Sequence, residues 1–305
     1  MMQWNKKGLI YNPDGKSNWA KHTVITPTPF LLNDDVIRIY AGFRDDAGVS
    51  RIGYIDVNQG NPSEVLGVSL NPVLDIGPDG CFDDNGVILG DLVRNGDEIY
   101  MYYVGFQLVK KVKFLAYSGL AISKDNGESF CRFQKNPVMD RTDNAVYIRA
   151  IHTVLKDNGI WKVWYSVGNG WEMINGAPYP QYDIRYTESK DGIHFEDSIG
   201  THCIGVRDNE YRIGRPRVRK TSFGYEMRYT FDTLDKQYTT GYAESVDGMN
   251  WIRKDDKTGI KRSESGWDCE MVCYPVVLDT KDATYMFYSG NGMGRTGVGY
   301  AELER

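Results

Sequence analysis

Gly241-Tyr-Ala-Glu-Ser-Val-Asp-Gly-Met-Asn-Trp251 decides the fold, because its opening five residues recur along the chain. The other copies are Gly53-Tyr-Ile-Asp-Val57, Gly119-Leu-Ala-Ile-Ser123, Arg185-Tyr-Thr-Glu-Ser189 and Gly299-Tyr-Ala-Glu-Leu303, so successive copies begin 66, 66, 56 and 58 residues apart. An aromatic strand precedes each one: Ile37-Arg-Ile-Tyr-Ala-Gly-Phe43, Tyr100-Met-Tyr-Tyr-Val-Gly-Phe106, Lys162-Val-Trp-Tyr-Ser-Val-Gly168, Glu226-Met-Arg-Tyr-Thr-Phe-Asp232 and Tyr285-Met-Phe-Tyr-Ser-Gly-Asn291. A long, nearly fixed period made only of strands marks a propeller, in which each small sheet buries its faces against its neighbours. Five copies predict an all-β, five-bladed β-propeller.

Working outward, each repeat reads as four strands. An inner strand such as Arg215-Pro-Arg-Val-Arg219 or Tyr274-Pro-Val-Val-Leu278 comes first, then the aromatic strand, then the Gly-Tyr-Ala-Glu-Ser type strand. A hairpin turn leads to an outer strand with an aromatic: Ser123-Lys-Asp-Asn-Gly-Glu-Ser-Phe130, Ser189-Lys-Asp-Gly-Ile-His-Phe195 and Ser245 to Trp251. Asp folds its carboxylate onto nearby backbone N–H groups, and Gly or Asn takes the positive φ of a tight turn. The first of these runs is similar to the Ser-x-Asp-x-Gly-x-x-aromatic box of sialidases and reads as hairpin hardware. The fifth repeat stops after its third strand, while Gln3-Trp-Asn-Lys-Lys-Gly-Leu-Ile10 has outer-strand character, with Trp4 where Trp251 stands. Residues 2–11 are therefore expected to complete the last blade and remove an exposed edge. The whole of 1–305 reads as one domain.

Bulk properties narrow the function. Net charge is −5 and mixed along the chain, with no basic stripe for nucleic acid. The first residues lack an apolar signal-peptide core, and no run approaches the ~18 apolar residues of a membrane span, so a cytoplasmic protein is expected. Five scattered cysteines (81, 131, 203, 269 and 273) without C-x-x-C pairing fit reduced thiols. No phosphate-cradling Gly loop, H-E-x-x-H, Gly-x-Ser-x-Gly or Cys/His cluster occurs, and neither cofactor nor metal is expected.

A propeller gathers the leading ends of its inner strands around a central funnel. Anchoring on the inner-strand Pro superposes Trp19-Ala-Lys-His22 on Trp267-Asp-Cys-Glu270, with Phe82-Asp83-Asp84-Asn85, Tyr147-Ile-Arg149-Ala-Ile-His152 and Tyr211-Arg-Ile-Gly-Arg215 at the corresponding ends. Framework positions should repeat between blades; a pocket for an asymmetric ligand should not. Asp83 and Asp268 repeat after an aromatic, whereas Asp84 and Glu270 occur once each. The latter are the preferred proton donor and base, with Asp83 as a third candidate. Arg149, Arg212 and Arg215 either clamp an anionic group in forked hydrogen bonds or pair with these acids. His22, Arg44, His152 and Tyr274 lie at the same ends. The insertion Asn169 to Asp183 is expected to form a lid or sugar-stacking wall through Trp171 and Tyr179.

The repeated aromatic strand, the 241–251 run and Phe82-Asp-Asp-Asn-Gly-Val87 resemble the five-bladed propeller glycosidase group: arabinanases and β-xylosidases, invertases and levansucrases, and mannoside phosphorylases. The likeness spans almost the whole chain but rests on blade motifs. It implies a carbohydrate-active enzyme acting on an oligosaccharide or sugar conjugate. Two alternatives stay open: a phosphorylase or transferase whose arginines hold phosphate, and a non-catalytic sugar-binding propeller. One departure matters. Those families place acids directly before the inner-strand Pro, where this chain has Thr26, Leu89, Ile151, Arg215 and Tyr274.

Overall fold

A computed structural model describes residues 3–196 and 198–304, without the side chain of Asn169. Strand β1 (Trp4–Tyr11) is followed by four four-stranded antiparallel units. These are β2 (His22–Leu31), β3 (Val36–Arg44), β4 (Ser50–Asn58) and β5 (Val65–Val68); then β6 (Val87–Asn95), β7 (Glu98–Gln107), β8 (Leu115–Ser123) and β9 (Cys131–Arg132). The third holds β10 (Ile148–Asp157), β11 (Ile160–Ile174), β12 (Ala177–Ser189) and β13 (Thr201–Ile204), and the fourth β14 (Glu210–Thr221), β15 (Gly224–Thr233), β16 (Thr239–Ser245) and β17 (Ile252–Arg253). The fifth unit has β18 (Cys273–Asp279), β19 (Thr284–Ser289) and β20 (Val298–Leu303), and its fourth strand is β1, antiparallel to β20 with Trp4 opposite Leu303. The N-terminal strand thus completes the last sheet as expected, although Met2 lies outside the described residues. Ile148 and Arg149 pair in parallel with Ala116 and Tyr117, joining the second and third units into one sheet of eight strands.

Neighbouring units are tied by a recurring latch. In each Ser-x-Asp turn the Ser hydroxyl accepts the N–H of a turn glycine: Gly127 on Ser123, Gly192 on Ser189 and Gly248 on Ser245. The same glycine's carbonyl then accepts from the aromatic strand of the preceding unit, namely Tyr40 at 2.9 Å, Tyr102 at 2.7 Å and the Trp164 indole at 2.7 Å. The turn is therefore hardware for the seam as well as for the hairpin. The fifth unit meets the first in the same spirit: Tyr285 donates to the Gly60 carbonyl, Ser289 to the Val24 carbonyl, and Tyr300 lies 3.0 Å from Ser63 Oγ. The aromatic strands carry the seams, with Tyr40, Tyr102, Trp164 and Tyr229 fully buried between sheets. Strands covered on both faces read as the near-continuous apolar runs seen here.

Each innermost strand is broken at one equivalent level. Register slips by a bulge at Thr26-Pro27, Gly90, His152, Arg215-Pro216 and Tyr274-Pro275. Thr26, Arg215 and Tyr274 hold φ of 56°, 57° and 56°, each directly before a proline. Proline disfavours helical and left-handed conformations in its predecessor, so three such residues persist only because the surrounding strands fix them. At Gly90 a Cβ would lie 2.4 Å from the Ile151 carbonyl oxygen and 2.7 Å from that of Tyr102, so the bulge there has no room for a side chain.

Candidate functional site

The bulges aim backbone carbonyls at the common axis, and one side chain collects them. Arg215 donates through Nη1 to the Leu89 carbonyl and to His152 Nδ1 at 3.1 Å, and through Nη2 to the Thr26 carbonyl at 3.4 Å. Its guanidinium lies 5.9 Å from the Tyr274 ring. Arg215 therefore touches the bulge level of all four other units and is buried with no carboxylate in the contact. The expectation that Arg215 grips a ligand gives way to a strut on the axis. His152 is part of that strut: burial first, then the charges of Arg215 and Arg217, push its pKa well below the usual range and keep the ring neutral, an acceptor at Nδ1.

Arg149 is also corrected. Its Nη1 donates to the Asp140 carbonyl and its Nη2 to those of Glu196 and Ser198, so it closes loops outside the funnel. Past the bulges, towards the far ends of the inner strands, a cavity of about 230 Å3 is lined from all five by Pro29, Leu92, Val154, Val218 and Val276. Its Arg217 and Arg219 are paired with Asp91 and Glu226.

Antiparallel pairing puts the leading ends of the inner strands on one face with the loops that follow the aromatic strands. Here the two repeated acids prove to be framework. Asp83 Oδ2 accepts from Tyr103 at 3.0 Å and Arg132 at 2.7 Å; Asp268 Oδ2 accepts from Tyr288 at 3.0 Å and Lys6 at 2.6 Å. Phe82 stacks on Tyr103 and Trp267 on Tyr288, and the two cations occupy matching places, Arg132 opposite Ala121 and Lys6 opposite Ala301. Asp83 is wholly buried in this clamp, which argues against its being a free catalytic acid. Just beyond the clamps, neither the Asp84 nor the Glu270 carboxylate has a cationic partner among the described residues, although Arg262 donates to the Glu270 backbone carbonyl at 3.2 Å. Asp84 accepts only the Gly80 N–H, at 2.9 Å, and the exposed Glu270 carboxylate has no partner among the described residues, although its backbone is fixed by Asn291. In the ring order the first unit stands between them, bringing His22 and Arg44 opposite one another in the β2–β3 register. His22 Nδ1 lies 2.7 Å from Thr23 Oγ1. Arg44 is half-buried, its guanidinium has no hydrogen-bond or ion-pair partner among the described residues, and its Nε is shielded from solvent.

Across this face the fourth unit sets Arg212, expected to clamp an anion or pair with an acid, against Asp232 and Lys236, which the sequence alone did not single out. Asp232, at the end of β15, is fully buried, and its Oδ2 receives Arg212 Nη2 at 2.7 Å, Lys236 Nζ at 2.5 Å and the Tyr211 hydroxyl. Burial pushes the Asp232 pKa up, but the bonds from Lys236 and Tyr211 and the Arg212 charge outweigh it and hold it below the usual range. Arg212 is wedged between the rings of Tyr182, Tyr211 and Tyr238 at 5.9, 5.1 and 5.1 Å, where aromatic faces favour a cation. Asp232 is the one acid that ends an aromatic strand, and this non-repetition was the signal available in the sequence.

The insertion forms a long β11–β12 hairpin turning at Asn175-Gly176, with φ of 51° and 78°. Trp171 packs edge-on against Phe114 and Tyr147 at 5.2 and 6.4 Å, and Tyr179 against Tyr211 at 6.0 Å. The hairpin thus spans from the second unit's loop to the fourth unit's polar group, as a wall over one side of the face. Tyr274, Tyr238, Ile25, Ile88, Met271 and Met293 floor the centre. Among the described residues no three His, Cys, Asp or Glu side chains converge on a metal position, the five cysteines are unpaired, and no helix is long and apolar enough to cross a membrane.

No family model matches the chain. It is 33% identical over 303 residues, 99% of its length and 100% of the relative's, to the uncharacterized protein Rv1502 of Mycobacterium tuberculosis (strain H37Rv). Among solved structures, a glycosyl hydrolase from Bacteroides ovatus superposes with a TM-score of 0.73 at 16% identity, covering 99% of this chain and 93% of that one. A structure from work on the GH130 family of mannoside phosphorylases, which contains glycoside hydrolases targeting β-1,2 mannosidic linkages in Candida mannan, gives 0.71 at 15% identity, covering 99% and 93%. At such identities the likeness is one of fold, that of glycoside hydrolase-like propellers. By sequence, the chain belongs to the family of the mycobacterial protein Rv1502.

Proposed function

We propose that the chain is a single-domain, five-bladed β-propeller that cleaves or transfers a glycosidic bond on the face bearing Asp84 and Glu270. One observation carries this reading. Of the acids at the leading ends of the inner strands, the repeated pair is neutralised by a cation and a tyrosine, while the unrepeated pair is left without a cation. A carboxylate free to exchange a proton is what general acid–base catalysis at an acetal requires. Glu270, more exposed and turned out from a backbone held by Asn291, is assigned as proton donor; Asp84 is assigned as base or charge stabiliser, with Asp83 positioning it. His22, Arg44, Trp171 and Tyr274 are the sugar contacts. Phosphorolysis is the weaker reading, since Arg149 and Arg215 are occupied by backbone carbonyls.

A panel of nitrophenyl glycosides with and without phosphate tests it. Glu270→Gln should cut turnover by ~100-fold or more with an unchanged melting temperature. An unaltered rate on a turned-over glycoside would remove Glu270 from the chemistry, and strict phosphate dependence would restore phosphorolysis.

A further inference from the structure

The fourth unit's polar group has more positive charge than it uses. Arg212, Lys236 and Lys113 gather around Tyr179 and Tyr211: Lys236 Nζ lies 4.0 Å from the centre of the Tyr179 ring and Lys113 Nζ 6.0 Å from it, while Arg212 is 5.1 Å from Tyr211. Against three cations stands Asp232, whose Oδ2 already takes three donors and whose Oδ1 takes the Thr233 N–H. The acids adjoining the group in sequence or register are engaged elsewhere: Glu172, opposite Tyr179 in the hairpin, by Gln181, Asp183 by Arg185, Glu210 by Arg253, and Asp235 by Asn209. Lysine ammoniums on one ring repel each other, and burial, then the charges of Arg212 and Lys113, oppose the hydrogen bond of Asp232 and leave the Lys236 pKa lowered.

Arg212 supplies the second, independent sign. It is only 7% exposed, yet among the described residues Nη2 alone has a hydrogen-bond partner; Nε is buried without one. A guanidinium presents its donors in a planar fork matched to an oxyanion. The Tyr182 hydroxyl beside it is likewise without a hydrogen-bond partner among the described residues, and the half-buried Tyr179 ring offers an apolar surface of the kind a sugar stacks on.

The geometry points to an anion subsite here, with Arg212, Lys236 and Lys113 receiving a carboxylate or phosphate borne by the sugar while Tyr179 flanks the ring. This rests on the glycoside-active reading and adds the substrate class: an acidic glycoside, such as a uronide or a sugar phosphate, in place of a neutral one. The hairpin, which brings Tyr179 against Lys236, is then part of the selectivity device and not only a wall.

Binding is measured by calorimetry on the full chain at low ionic strength, with glucuronate, glucose 6-phosphate, glucose and inorganic phosphate as separate probes. The acidic sugars should bind about tenfold or more tighter than glucose, weaken as salt screens the subsite, and lose about three- to tenfold in Lys113→Gln and Lys236→Gln. Lys113 is exposed, so its variant tests the idea without burdening the fold. Glucose binding as tightly as glucuronate overturns the proposal, as does indifference of both variants. Inorganic phosphate binding as tightly as glucose 6-phosphate would overturn the sugar-borne source. Because no turnover is needed, the outcome separates from that of the catalytic reading: an enzyme turning over only neutral glycosides defeats this subsite alone, and an inert protein with acid-sugar preference defeats only catalysis.

Discussion

The second and fifth units open in nearly the same way and end differently. In both, an aromatic stacks on the last tyrosine of the neighbouring strand, and the next residue, Asp83 or Asp268, is clamped by that tyrosine and by a cation from the outer strand. One residue further the likeness stops: Asp84 corresponds in sequence to Cys269, and Asn85 to Glu270. In these two units the acid that repeats is engaged by the sheet, and the carboxylate that does not repeat has no cation among the described residues. A repeat protein thus carries its own internal control, since one copy shows what the framework alone demands of the other.

The comparison breaks first if the two clamps are unequal. Asp83→Ala and Asp268→Ala each strand a cation and a buried tyrosine hydroxyl; breaking such pairs costs about 3 kcal/mol where burial is high. Arg132 and Lys6 are about a fifth to a quarter exposed, which places both variants towards the lower side of that figure. Similar losses in urea unfolding are expected for both. A stable Asp83→Ala variant with abolished turnover would move Asp83 from the framework to the chemistry.

Asp84→Asn and Glu270→Gln should show the opposite pattern: stability within about 0.5 kcal/mol of the parent, as for surface changes that touch no special feature, and kcat lower by ~100-fold, about 2.7 kcal/mol in the barrier. Kinetics and melting curves on the same four variants would sort the acids into their two classes. A Glu270→Gln variant that loses stability as heavily as Asp268→Ala would collapse the distinction.

His152 extends the contrast to the axis. Burial first, and then the charges of Arg215 and Arg217, keep the imidazole neutral in the fold, while the unfolded chain takes up a proton near the ordinary histidine pKa of ~6.5. A group whose folded pKa is depressed gives its full contribution above the unfolded value, and the loss begins as pH falls below it. Unfolding free energy should therefore drop from about pH 6.5 towards pH 5, by up to ~1.4 kcal/mol per pH unit from this group. His152→Gln retains an acceptor for Arg215 and should flatten that slope; an unchanged slope would mean the ring is charged or solvated.

Much of this architecture was legible in the chain. The five aromatic strands, their partners and the closing role of Trp4 and its neighbours all follow from patterns that local strand chemistry enforces, whereas the insertion, read as a loop, is an extension of β11 and β12. Prolines 27, 216 and 275 marked a shared level because a bulge needs the same backbone break wherever it recurs. Side-chain partners were not legible. Arg149 and Arg215 looked like anion clamps because position in a strand fixes a Cα, whereas a guanidinium reaches far enough to be captured by carbonyls of neighbouring loops, as Arg149 is, or of distant units, as Arg215 is. The Asp232 group was read only in part, as Arg212 and Tyr179, for a related reason: Arg212, Asp232 and Lys236 belong to one unit, but the Tyr179 and Lys113 that complete it come from two others.

The smallest predicted effect sharpens the same contrast at the seams. Tyr40→Phe and Tyr102→Phe each remove one hydroxyl from the turn-glycine latch and leave a buried carbonyl, that of Gly127 or Gly192, without that donor. A loss of about 1 kcal/mol is expected for each, and the two values should agree because the latches are copies. Gly127 also accepts from Arg38, so any inequality should favour Tyr40→Phe as the milder change. Tyr182→Phe, whose hydroxyl has no hydrogen-bond partner among the described residues, should leave stability untouched while weakening acidic-sugar binding. A Tyr182 variant that destabilises as the latch variants do would place that hydroxyl in the framework and remove it from the subsite.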